Sequence, residues 1–136
     1  MKALEDFIEN WKETEDRNRQ AFIELYEHLQ TLEDTVFEFN ARPKVSYSLR
    51  PKHKTQEKRS LFAMVDVIDD DPEERWLSVC FYGEMITDPD EAGELIPEGL
   101  LGEDGYCFDL IENDESMISY IGQRIDEAHA FVSAGK

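Results

Sequence analysis

The sequence predicts one two-layer α+β domain spanning residues 1–136. A long N-terminal helix comes first, then about five mostly antiparallel strands, then a C-terminal helix, with both helices on one sheet face. Three observations predict this. Apolar residues recur at three-and-four spacing near both ends of the chain. Between those ends, β-branched and aromatic runs are bounded by turn formers. A chain of 136 residues, 40% hydrophobic, is long enough for one packed core and short for two.

In the first element, Leu4, Phe7, Ile8 and Trp11 form one apolar stripe, and Phe22, Leu25, Leu29 and Leu32 continue it. Thr14 to Arg19 is polar on all sides, with no Gly or Pro. An unbroken helix from Ala3 to Leu32 would be roughly 45 Å long at 1.5 Å per residue. A domain of this size has a radius of gyration of about 14 Å. The helix therefore either breaks near Thr14–Arg17 or projects. If it projects, Phe7 and Trp11 need a second surface, which makes them the expected contact of a homodimer.

Strands are expected at Val36–Phe39, Val45–Leu49, Leu61–Ile68, Trp76–Tyr82 and Tyr106–Leu110. Asp69 to Glu74 reads as a solvated hairpin loop, and Thr87 to Gly105, with two prolines, as irregular up to a turn at Asp104-Gly105. Asn113 or Ser116 is positioned to cap a last helix whose apolar face is Met117, Ile118, Ile121, Ile125, Ala128 and Val132. Strand alternation sends Val45, Tyr47, Leu49, Leu77, Val79, Phe81, Tyr106, Phe108 and Leu110 towards the helices. The other face is semi-polar: Ser46, Ser48, Arg50, Met64, Asp66, Ser78, Cys80, Tyr82, Cys107 and Asp109.

Charge is segregated. Asp69 to Glu115 holds seventeen acids and one base, Arg75, whereas Arg42 to Arg59 holds seven bases and one acid, Glu57. The net charge of −18 disfavours nucleic acid and anionic membrane and favours cations or a basic partner. The same acids also read as an ordinary solvated surface. No apolar stretch approaches the ~20 residues of a membrane span. The acidic start MKALEDFIENW does not read as an export signal. Cys80 and Cys107 lie in apolar strands without zinc spacing and read as two reduced, buried thiols of a cytoplasmic protein.

Three residue groups carry candidate chemistry. Glu24, Glu27 and His28, facing Asp126 and His129, are the best metal constellation, since carboxylate–His pairs on neighbouring helices can share an ion. No resident cofactor is expected; a weakly bound divalent cation is the one such ligand left open. Ser46, Ser48, Arg50, Asp66, Ser78, Cys80, Tyr82 and Asp109 form a possible ligand face. Arg50, Lys52, Lys54, Lys58 and Arg59 form a possible anion or partner site. Gly99, Gly102 and Gly105 lack the strand-before, helix-after setting of a dinucleotide loop.

The run LFAMVDV…WLSVCFYGEMITDP…IPEGLLGEDGYCFDLIENDE, ending in a helix with Ala128, resembles the C-terminal two-thirds of small YdhG-like bacterial proteins. That resemblance implies no general activity, although iron handling has been linked to members. The element order also resembles frataxin, an acidic iron-binding α–β–α fold, whose end is similar to GYCFDL followed by a helix. Neither resemblance supplies a motif that assigns a site residue. The leading expectation is a non-enzymatic cytoplasmic interaction protein that self-associates or takes a basic protein partner. The alternatives are an acidic metal-binding or iron-handling protein, and a small ligand-binding or hydrolytic protein using the semi-polar sheet face.

Overall fold

The polar stretch from Thr14 to Arg19 is where the N-terminal helical pattern breaks. In the computed structural model, which describes residues 1–136, α1 spans Lys2–Asn10 and α2 spans Asn18–Gln30. The chain leaves α1 at Trp11, which is extended, and enters α2 after Arg17, whose φ of 58° is left-handed. The first N–H groups of a helix have no partner within it. Here nearby acids supply one. Glu13 accepts from the Arg19 and Gln20 amides at 3.2 and 3.0 Å, and Asp16 accepts from the Asn18 amide at 3.1 Å.

The expected long helix is thus two helices, and its apolar end folds back onto the chain. Phe7 stacks on Tyr47 with ring centroids 4.1 Å apart, and Trp11 lies 5.9 Å from Phe22. The two side chains are 8% and 5% exposed. Burying side chains of this size contributes roughly 2–3 kcal/mol each. Phe7 and Trp11 are therefore core residues rather than a dimer contact.

Six strands follow, not five: β1 (Thr35–Arg42), β2 (Ser46–His53), β3 (Met64–Ile68), β4 (Trp76–Tyr82), β5 (Glu94–Leu100) and β6 (Glu103–Leu110). They form one antiparallel sheet in the order β1-β2-β3-β4-β6-β5. The additional strand, β5, lies inside the segment expected to be irregular. Its residues are exposed up to Leu100, so it has no inward-outward alternation to detect. It turns into β6 at Leu101 and Gly102, both at positive φ (50° and 87°), the geometry of a type I′ hairpin turn. The turn therefore precedes the expected Asp104-Gly105.

On the other strands the alternation holds in part: Tyr47 and Tyr106 are only half-buried, and Ser48, Cys80 and Tyr82, expected on the opposite face, are buried as well. Leu49, Leu77, Val79, Phe81, Phe108 and Leu110 are buried, whereas Val45 sits in the β1–β2 turn and is exposed. Aromatic contacts tie each helix to residues of this parity: Phe7 of α1 to Tyr47, Tyr26 of α2 to Phe37, and Tyr120 to Phe108. Tyr120 belongs to α3 (Glu115–Ser133), which buries Ile121, Ile125, Ala128 and Val132 as its spacing predicts. Its N-cap is Asp114, whose side chain accepts from the Met117 amide, rather than Asn113 or Ser116. No helix is long and apolar enough to cross a membrane.

Candidate functional site

The sheet face away from the helices is built by register. Asn40, Ser48, Asp66, Ser78 and Asp109 line up as one row across five strands. The neighbouring row runs Glu38, Arg50, Met64, Cys80, Cys107 and Glu94. A polar network joins the two rows. The Arg50 Nε donates to the Ser48 hydroxyl at 3.0 Å. With its amide oriented to satisfy both neighbours, Asn40 donates to Glu38 at 3.2 Å and accepts from Arg50 at 3.1 Å.

Asp66 is the electrostatic centre of this face. Burial pushes its carboxyl above the ordinary range, against the Ser48 hydroxyl and the charges of Arg50 and Arg42. One of its oxygens is buried without a partner. Of the remaining expected face residues, Ser46 lies opposite Arg42 and Ile68, Asp109 is exposed, and Tyr82 is buried. Tyr82 lines a cleft of about 490 Å³ with Arg59, Glu84 and Glu103, whereas Ser46, Ser48, Arg50, Asp66, Ser78, Cys80 and Asp109 line none of the larger clefts.

The two cysteines are not free thiols. Cys80 and Cys107 are directly opposite in the β4–β6 register and form a disulfide. Sequence separation hides this pairing; only the register brings the two sulfurs together. The disulfide removes Cys80 as a nucleophile on this face.

The basic segment is divided by its partners. Arg59 pairs with Glu84 at 2.6 Å and Glu103 at 2.8 Å, and its guanidinium lies 4.3 Å from the centre of the Tyr82 ring. The Glu103 hydrogen bond leads the forces that raise its pKa. Arg50 is held in the Asn40–Ser48 network. Lys52, Lys54 and Lys58 form no ion pair. A cleft of about 470 Å³ between residues 55–59 and the end of α3 carries both signs of charge: Lys58, Arg59 and Lys136 with Glu57 and Glu84. The five basic residues therefore do not form one anion site.

The metal constellation is only partly assembled. His28 Nε2 meets Asp126 at 2.8 Å across α2 and α3, but His129 Nε2 instead contacts the Glu33 carbonyl at 2.8 Å. Glu27 is exposed, and Glu24 has one buried oxygen without a partner. No group of three His, Cys, Asp or Glu side chains is arranged to hold a metal ion. Ser119 lines the same cleft as His28 and Asp126, but no hydrogen bond joins it to the imidazole, so the three do not form a hydrolytic triad.

One charge centre escaped the sequence reading. Asp69 is buried rather than solvated, accepting from the Lys44 amide and the Arg75 guanidinium, each at 2.7 Å. Arg75 lies between 5.2 and 5.5 Å from the ring centres of Phe7, Trp11 and Tyr47. Its isolation within an acidic run was the visible signal; the aromatic box was not, because its walls come from α1 and β2. Comparison of the chain with family models, curated proteins and solved structures finds no match.

Proposed function

We propose that this chain is a non-enzymatic interaction domain that self-associates through its sheet. One observation carries the reading: all three helices pack on the side of the sheet that carries Phe37, Tyr47 and Phe108, so no helix lies on the Ser48–Asp66–Ser78 face, and β1 and β5 are the outer strands. Supporting it, the residues with chemical potential are engaged internally: Cys80 with Cys107, Asp69 with Arg75, His28 with Asp126, and Arg59 with two acids. A catalytic site would hold a reactive group poised in a cleft. His28, Asp126 and Arg59 do line clefts, but each is already paired there with another side chain of the chain.

Sedimentation equilibrium on the full chain across the micromolar range tests the reading. A concentration-dependent rise in mass to a defined oligomer is the expected result. A monomer at every concentration and salt level sinks it. A monomer that binds a basic polypeptide would move the function to the acidic surface.

A further inference from the structure

From the backbone of β1 we infer that two copies of this chain pair antiparallel along their β1 edges, about a two-fold axis at Asn40, to make one continuous sheet. The inference rests on the self-association reading above and names the surface and register.

β1 is outermost in the sheet, so one side of its backbone has no partner within the chain. Two bonds identify which groups are free. The Lys54 amide donates to the Asp34 carbonyl, and these residues lie opposite each other in the β1–β2 register. Hydrogen-bonded pairs recur at every second residue of an antiparallel ladder. Val36, Glu38, Asn40 and Arg42 therefore turn their amides and carbonyls towards β2. The Asp69 amide bonds the Val45 carbonyl, which likewise assigns the odd residues of β2 to β3 and its even residues to β1. Thr35, Phe37, Phe39 and Ala41 thus present their N–H and C=O groups at the open edge.

The two outer strands differ in how they are protected. β5 carries Pro97, an irregular register between Ile96 and Leu100, and Glu98 at a φ of 56°. Each feature discourages a further strand from pairing there. β1 has none of them: eight residues without Pro, Gly or bulge, paired to β2 without interruption.

Charge selects the register. Because only odd residues face outward, a two-fold pairing must match odd with odd and even with even. An axis at Glu38 sets that carboxylate against its own copy. An axis at Phe39 sets Glu38 against Asn40 and Val36 against Arg42. Only an axis at Asn40 puts exposed Glu38 opposite exposed Arg42, and symmetry makes that ion pair twice. The same register pairs Phe39 with Ala41 and forms about four new backbone hydrogen bonds.

This geometry makes a specific prediction. Asn40 and its copy would be directly opposite, with Cα atoms about 4.5–5.5 Å apart, which a disulfide can span. Asn40→Cys in the full chain, mildly oxidised, should give a cross-linked dimer as its main product on a non-reducing gel. Glu38→Cys, which lies opposite Arg42 rather than itself, should not. Arg42→Glu should weaken the dissociation constant roughly tenfold or more, and adding Glu38→Arg should restore it. Circular dichroism checks that each variant is folded. If the Asn40→Cys chain is a dimer by sedimentation yet fails to cross-link, or if Glu38→Cys cross-links equally well, the Asn40 register is overturned and self-association stands. A monomeric wild-type chain overturns both.

Discussion

Arg75 does two jobs at one position: its guanidinium neutralises buried Asp69 and fills the box formed by Phe7, Trp11 and Tyr47. Removing one partner of a buried pair strands the other charge, at a cost of about 3–5 kcal/mol. Arg75→Ala should therefore lower unfolding free energy by about that amount in urea titration. Adding Asp69→Asn should recover part of the loss, because no buried charge then remains unpaired. Asp66 acts in the opposite sense. Burial raises its folded-state pKa, so the folded chain binds that proton more tightly than the unfolded chain does. The resulting penalty is absent below the ordinary carboxylate range near pH ~4 and grows as pH rises through the raised value. Asp66→Asn should raise the melting temperature at pH 7, with the gain vanishing towards pH ~3. An equal gain at both pH values would show that ionisation is not its cause.

Among the elements, the connections are held by polar groups that no periodicity reveals. Asn18, at the start of α2, donates to the Arg75 carbonyl at 2.9 Å and the Ile111 carbonyl at 2.7 Å. It thereby ties the helix to the β3–β4 connection and to the end of β6. Asn18→Ala would remove the donor from both carbonyls, and a cost of about 2 kcal/mol is expected in thermal or urea unfolding. A comparable clamp fixes residues 87–93 to α3. Glu127 takes the Thr87 amide and hydroxyl, and Asp88 takes the Tyr120 hydroxyl and the amides of Ala92 and Gly93. Burial pushes both carboxyls up, but these hydrogen bonds and Arg124 outweigh it, and both lie below their ordinary values. Their contribution is complete above about pH 4–5 and is lost as pH falls through the lowered values.

At the scale of the whole molecule, a net charge of −18 opposes any contact between two copies. That repulsion acts over the Debye length, about 30 Å at 0.01 M salt and about 10 Å at 0.1 M. Directly opposed cross-strand pairs, with Cβ atoms about 5 Å apart, lie well inside either length. Raising salt between those limits should therefore strengthen self-association, as sedimentation at both salt levels would read. A steady weakening instead would mean that attraction between the basic Arg42–Arg59 segment and the acidic half dominates the encounter.

The sequence alone determined the parts that depend on local periodicity. Period-2 alternation located Trp76–Tyr82 to the residue and identified Leu77, Val79 and Phe108 as core. Helical spacing identified the buried face of α3, and the polar Thr14–Arg19 stretch marked where the first helix had to end or project. Each of these signals spans a few neighbouring residues. Only the tertiary structure decided that α1 folds back, because that depends on whether Tyr47 and Phe22 are there to receive Phe7 and Trp11. Only the β4–β6 register paired Cys80 with Cys107, and only the helix packing sent His28 to Asp126 but His129 to the Glu33 carbonyl. Periodicity determines which side of an element is buried; the packing of distant segments determines which residues meet, and a one-residue change of register exchanges every partner on a strand.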